Sequence, residues 1–237
     1  MDNSMGPLSL SAPFNRTLSD QVANQLREAI LQGQLKPGQR IVEHEIADAM
    51  ALSRGPVRDA LKILQNERLV VQYPHRGAFV ARLTLRDAEE IYSLREALEI
   101  LALHYAIKYA TDEQIEELAR IIARMTERVK QEYTQPEATE LDLEFHHTLC
   151  RISGHSRVLE AWIALRGQVR LVILTHRILH PLDFRENAVE WHRQLLDAVR
   201  QRDSAAAEGV LRRHLAASLE ATSRAIRDGK LGSPDEE

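Results

Sequence analysis

Only one stretch of this chain abandons a helical hydrophobic period, and its position organises everything on either side of it. Leu69 to Tyr73 and Ala78 to Ala81 are short β-rich runs, separated by Pro74-His75-Arg76-Gly77. Two such runs around a Gly-containing turn predict a hairpin, with Gly77 free to take a positive φ. Before it, three helices are expected. Leu18 to Leu31 has Val22, Leu26 and Ile30 at four-residue spacing, Ser19 as a cap, and Gly33 and Pro37-Gly38 as breakers. Glu43 to Met50 is a short helix with Ile46 and Met50 apolar, and Ala51-Leu52 is a turn. Ser53 then caps a helix to about Glu67, with Val57, Ala60, Leu61 and Leu64 on one face.

After the hairpin every segment is helical in period. Six helices are expected: Thr84–Tyr109, Asp112–Tyr133, Pro136–Ile152, Ser156–Leu179, Asp183–Gln201 and Ser204–Arg227. Thr84 and Thr111 precede acidic first turns, and Gly154 closes the third of these helices. Short loops predict antiparallel neighbours in a bundle. The fold class is therefore mainly α: an N-terminal winged helix-turn-helix, then a C-terminal all-α antiparallel bundle. The expected divisions are a disordered arm (1–15), the DNA-binding unit (16–82), the helical unit (83–228) and a disordered tail (229–237).

A length of 237 residues is comfortable for two cores. The lone cysteine, Cys150, excludes an intrachain disulfide and a Cys-rich zinc site, and it fits a reducing cytoplasm. No segment approaches the apolar length needed to span a bilayer, and Met1 to Pro13 lacks the pattern of a signal peptide, so no membrane partner is expected. Residues 1–80 hold 9 Lys/Arg and 8 Asp/Glu, a net +1, and the remaining residues hold 22 and 27, a net −5. A near-neutral module binds DNA when its basic groups share one face, whereas the acidic remainder is a poor second DNA contact.

The helix pair around Ala51-Leu52 follows the helix-turn-helix plan, whose second helix enters the major groove by its first turn. That turn reads Ser53-Arg54-Gly55-Pro56-Val57-Arg58. Arg54 and Arg58 are four apart and share a face, suited to guanine or phosphate. The Ser53 hydroxyl and the helix amides add phosphate contacts. The hairpin, with Arg76-Gly77 at its tip, is the expected wing. Two arginines alone are ordinarily just a solvated face; it is the order of capped helix pair, arginines and basic-tipped hairpin that points to DNA.

Those residues also carry a resemblance. Leu35-Lys36-Pro37-Gly38-Gln39-Arg40-Ile41, Glu45-Ile46-Ala47, Leu52 to Leu61 and Arg76-Gly77-Ala78-Phe79-Val80 are similar to the GntR family of regulators. The helical half resembles its FadR-type subfamily, which carries an FCD ligand domain, so the likeness covers about residues 18–227. By that resemblance Ser53, Arg54 and Arg58 match operator-contacting positions, His44 a phosphate-contacting position and Gly77 the wing glycine. Gly55 departs from the more usual Thr or Ser.

In the helical half, Asp142 and His146 are four apart and share a helix face, a spacing that suits chelation of one divalent ion. His147 is rotated by about 100° from His146 and does not join them. His192 and His214 lie on later helices. Spacing alone leaves each histidine more at home as a core or surface group. The resemblance brings Asp142, His146, His192 and His214 onto the metal-binding positions of one subset of FCD domains, with zinc first and nickel or manganese as alternatives. It implies further a small carboxylate effector and a homodimer on double-stranded, pseudo-palindromic operator DNA. Arg95 aligns with a pocket arginine; its alternative is a surface ion pair with Glu99. Asn187 and Arg170 are further candidates for the pocket. Ile91, Leu94 and Leu98 supply either bundle core or dimer surface.

Three other readings compete. A metal-dependent hydrolase needs a general base beside a bound water, and Glu144 points to another face from Asp142. A regulator with a purely structural metal site, or a hydrogen-bonded cluster in its place, has no acid response. A fatty-acyl sensor of the same subfamily lacks the Asp/His/His/His set. The expectation is a regulator rather than an enzyme.

Overall fold

The computed structural model describes residues 17–131, 135–179 and 187–228. The arm, the tail and the expected ends at Tyr133 and Asp183 lie outside them. The first helix, α1 (Leu18–Leu31), is capped by Thr17 and not by Ser19. Thr17 has a carboxylate three residues on, so Asp20 N–H donates to Thr17 Oγ1 at 3.1 Å and Thr17 N–H donates back to Asp20 Oδ2 at 3.0 Å. Three residues after Ser19 stands Val22, which has no acceptor to return.

Helices α2 (Glu43–Ala49) and α3 (Arg54–Asn66) follow. Ser53 is the extended N-cap residue of α3, but its side chain makes no capping bond. The hairpin is β2 (Val70–Tyr73) and β3 (Gly77–Val80), with Gly77 at φ +95°. A strand the periodicity did not reveal, β1 (Arg40–Ile41), pairs antiparallel with β3, so the sheet order is β1-β3-β2. Two residues are too short to display alternation. Tyr73 and Phe79 brace the hairpin edge to face at 5.7 Å.

The bundle comprises α4 (Leu85–Tyr109), α5 (Asp112–Lys130), α6 (Gln135–Ile152), α7 (Ser156–Leu179), α8 (Asn187–Arg200) and α9 (Ser204–Arg227). Thr84 and Thr111 close reciprocal capping boxes with Asp87 and Gln114. The expectation that chain neighbours pack together holds for α5 with α6, α6 with α7 and α8 with α9. It fails for α4, which packs chiefly on α9, α7 and α6 rather than on α5, and for α7 with α8, since α8 packs on α9 and α5. Helix α4 is apolar on several sides, and such a helix belongs in the middle of a bundle. The α4 ambiguity resolves residue by residue: Ile91 is core, Leu98 packs partly against it, and Leu94 is half exposed.

Two apolar cores result. One joins α1, α2, α3 and the sheet around Val22, Ile30, Val57, Leu61, Leu64 and Val80. The other fills the bundle around Leu103, Leu118, Leu143, Phe145, Trp162 and Leu211. Helix α7 serves both. Trp162, Val169 and Val172 belong to the bundle core, whereas Leu171 is buried in the core of the N-terminal head. Beside it, Arg170 Nη2 lies 3.9 Å from Glu28 Oε2 on α1 and Arg170 Nε lies 2.8 Å from Glu140 Oε1 on α6.

Leu171→Ala is expected to cost about 2–5 kcal/mol, felt by the head. In a thermal melt with separate probes for sheet and helix, the head transition should fall below that of the bundle. A single unshifted transition would show that the head does not lean on α7.

Candidate functional site

The residues expected at DNA are all on the surface. His44, Ser53, Arg54, Arg58, Arg76 and Gly77 are exposed, while Val57 and Leu61 on the opposite side of α3 are fully buried. That division is what a groove-entering helix requires. The first turn of α3 contains no acidic residue, so its amide-rich end keeps its attraction for phosphate. Arg58 Nε donates to Glu43 Oε2 at 2.8 Å across the α2–α3 turn. Glu43 therefore holds the Arg58 guanidinium in place, a role that sequence spacing could not reveal. A Cβ on Gly55 would meet only Ser53 Oγ, at 3.9 Å, so packing does not demand glycine there. Arg40, also missed, runs alongside the tip: its Nη2 lies 3.8 Å from where a Gly77 Cβ would stand.

Inside the bundle, α6, α8 and α9 bring four distant residues together. Asp142, His146, His192 and His214 each offer a ligand atom, and these atoms lie within 4.8 Å of one another. All four side chains are buried. His146 Nε2 stands 3.2 Å from His214 Nε2 and 3.3 Å from His192 Nε2, and His192 Nε2 is 3.6 Å from Asp142 Oδ1. Ring nitrogens this close need a proton or a cation between them. Burial, and then His192 and His146, push the His214 pKa well below its ordinary value. A neutral imidazole with a lone pair is what a metal ligand must be. The donor set therefore fits a divalent ion that accepts nitrogen and oxygen.

A second layer of partners stands behind the quartet. His146 Nδ1 is 2.6 Å from Glu99 Oε2, and Arg95 Nε donates to Glu99 Oε1 at 2.6 Å. A carboxylate at Nδ1 keeps the proton on that nitrogen and directs the Nε2 lone pair at the cluster. Burial works to raise the Glu99 carboxyl, but Arg95 and then His146 outweigh it, and its pKa falls below the ordinary value. Burial likewise works against the Arg95 charge, and Glu99 and Asp142 restore it. The Arg95–Glu99 pair thus exists, but it is buried rather than on the surface. Arg95 Nη2 also approaches Asp142 Oδ2 to 4.0 Å. Glu99 was legible in the sequence only as the neighbour of Arg95; nothing in its spacing tied it to His146.

Not every expected residue converges here. Arg170 is engaged by Glu140 and Glu28, on the side of α7 that meets the head, and not by the quartet. Asn187 begins α8, one and a half turns before His192, and its side chain lies outside the described residues. His147 is half-buried and turned away; burial, then Arg166 and Arg151, lower its pKa. Glu144, the residue weighed as a hydrolase base, pairs instead with Arg124 at 2.6 Å. Cys150 is buried, and burial pushes its thiol far up. A cavity of about 540 Å³ opens between head and bundle, lined by Arg68, Arg82, Glu90, Leu94, Gln168 and Leu171, and none of the four donors borders it.

A winged head with an arginine-bearing helix, set on a helical bundle that buries a polar quartet, defines a DNA-binding regulator that answers to a small molecule. Known proteins agree. Residues 18–80 match the gntR family of bacterial regulatory proteins, and residues 90–217 match the FCD domain. The chain belongs to the GntR family and carries an FCD domain. It is a ligand-responsive transcriptional regulator and not an enzyme. An HTH-type transcriptional regulator of Bacillus subtilis, YdhC, is 30% identical over 212 residues, 89% of this chain and 93% of that protein. The gluconate operon transcriptional repressor of the same organism is 29% identical over 188 residues, 78% and 76% of the two chains. The crystal structure of a GntR regulator from Rhodococcus sp. RHA1 superposes with a TM-score of 0.73 at 24% identity, over 88% of this chain and 97% of that one, a likeness of fold. No helix among the described residues is long and apolar enough to cross a membrane.

The quartet makes a direct prediction. Purified protein equilibrated with zinc is expected to retain about one ion per chain, and His192→Ala with His214→Ala should abolish that retention while the far-UV circular dichroism stays helical. Full occupancy in the double variant would exclude these residues as ligands.

Proposed function

We propose that this protein is a homodimeric, cytoplasmic repressor whose residues 16–82 bind a pseudo-palindromic operator and whose residues 83–228 sense a small organic acid through a metal-containing pocket. The observation that carries the reading is the convergence of Asp142, His146, His192 and His214 beside a buried, charged Arg95. Zinc is the ion this donor set suits best, with nickel or manganese next, and an effector oxygen would bind by expanding the coordination beyond the four protein ligands. When bound, the ion supplies Lewis-acidic positions for effector oxygens. The charge balance favours an anion: a divalent ion against the Asp142 and Glu99 carboxylates, with Arg95, leaves a net +1 that one carboxylate neutralises. The relative named for a gluconate operon points to the same ligand class, since gluconate is a hydroxy acid.

On the DNA side, Arg54 and Arg58 are the reading residues, with Ser53, His44, Arg76 and Gly77 supporting them on phosphate and at the wing. One head offers few contacts, and a two-fold pair supplies the rest. The face for pairing is on α4. Leu94, Leu101, Tyr105 and Tyr109 are 38–59% exposed and lie on one side of that helix, with Ile163 of α7 also exposed. Helix α7, which enters both cores, is the path by which a change at the quartet shifts the head, and an effector acts only through its different affinity for the two arrangements.

Three outcomes test this. Arg54→Ala or Arg58→Ala should weaken operator binding by about 1–3 kcal/mol where the contact reads a base; operator affinity unchanged in both would remove the assignment. Leu101→Glu should convert a dimer to a monomer in sedimentation, and a dimer that survives it would place the interface elsewhere. In thermal-shift assays against small carboxylates, stabilisation should appear with metal and vanish with chelator. Metal without any acid response would instead favour a structural ion.

A further inference from the structure

Around the quartet, Glu99 Oε2 and His146 Nδ1 face each other at 2.6 Å, while two buried donors have no acceptor that close. Arg95 spends its Nε on Glu99, but its Nη2 is buried without a hydrogen-bond partner among the described residues. Trp162 is fully buried, and its indole Nε1 is likewise unpartnered. These two groups are neighbours: the Arg95 guanidinium carbon lies 5.6 Å from the Trp162 ring centre, and the same ring lies 6.4 Å from that of His146. The Tyr92 phenol, on the same helix as Arg95, has its pKa raised by burial, against which Arg95, Thr222 and Ser218 work.

Both leftover groups are donors, and neither can ever accept. Buried donors without acceptors are rare in folded proteins, so two of them on contacting side chains mark a demand for acceptor oxygens. An indole is also an uneconomical filler where Phe would supply the same apolar body without the N–H. We propose that Trp162 Nε1 and Arg95 Nη2 act together as a two-donor recognition element for an oxyacid effector, and that Trp162 sets its selectivity. The proposal rests on the carboxylate-sensing reading above and names the ligand class within it. Arg95 takes the carboxylate; Trp162 takes a second acceptor oxygen, a hydroxyl or carbonyl beside it. An ammonium in that position is disfavoured, since it would face two donors, the indole N–H and the guanidinium, while the nearby Asp142 and Glu99 carboxylates are already opposed by Arg95. Trp162 also lies on α7, nine residues before Leu171, about 14 Å along the helix. A ligand bonded to the indole therefore pulls on the element that docks the head.

The experiment uses the full-length, zinc-loaded protein and three matched four-carbon acids: succinate, malate and aspartate, which differ only in H, OH or ammonium at one carbon. The chain has two tryptophans, so a Trp191→Phe background makes Trp162 the sole fluorophore and assigns its indole N–H resonance. Malate is expected to shift that resonance and change the emission, and to bind more tightly than succinate or aspartate. Trp162→Phe should weaken malate about tenfold or more, move succinate far less, and leave metal content unchanged. If Trp162→Phe does not fold, the indole N–H shift in the unaltered tryptophan still decides. Malate binding that ignores Trp162, or aspartate binding as well as malate, overturns this inference and leaves the carboxylate reading standing. Failure of all three acids to bind the zinc-loaded protein removes both.

Discussion

Six ionisable side chains buried together in an apolar bundle dictate the arrangement around them. Arg95, Glu99, Asp142, His146, His192 and His214 come from four helices, and none is more than slightly exposed. An isolated charge in such surroundings is prohibitively costly, so each must face a partner. The partners are spread over α4, α6, α8 and α9, so satisfying them sets the relative register of those helices. Apolar packing alone would tolerate a slide of one turn; a chain of contacts from Arg95 through Glu99 to His146 does not. The same precision suits ligand binding, because ring nitrogens only 3.2–3.3 Å apart leave little freedom in where a cation sits.

The second constraint is shared packing. Leu171 lies in the head's core although its neighbours Val169 and Val172 lie in the bundle's. One helix thus belongs to two cores, and moving it for one repacks the other. This shared packing links the bundle that holds the quartet to the head without a special hinge. Arg170, with Glu140 on one side and Glu28 on the other, adds a charged contact at the same crossing. A partly exposed pair of this kind contributes little stability and more orientation.

The fold was largely legible because its signals are local. Capping boxes at Thr84 and Thr111, the four-residue apolar spacing of α1 and the Pro-to-Gly turn of the hairpin each depend on residues within a few positions of one another. Misreadings arose where two local rules competed or where none applied. Thr17 displaced Ser19 because only Thr17 has a carboxylate three residues on. Strand β1 escaped notice because two residues have no period, and its existence depends on β3 presenting a free edge.

The sequence by itself determined the order of elements, the arginine-bearing first turn of α3, the i,i+4 pair of Asp142 and His146, and membership of a family through its motifs. These are properties of neighbours along the chain, and helix geometry converts spacing directly into a shared face. Only the tertiary structure decided that His192 and His214 close on that pair, that Glu99 backs His146, that Arg170 belongs to the head contact rather than the quartet, and that Leu171 crosses into the other core. Each of those depends on which helices pack together and at what rotation. Apolar pattern specifies that a helix buries a face, but not against which partner; that choice emerges from the sum of many weak contacts over the whole chain.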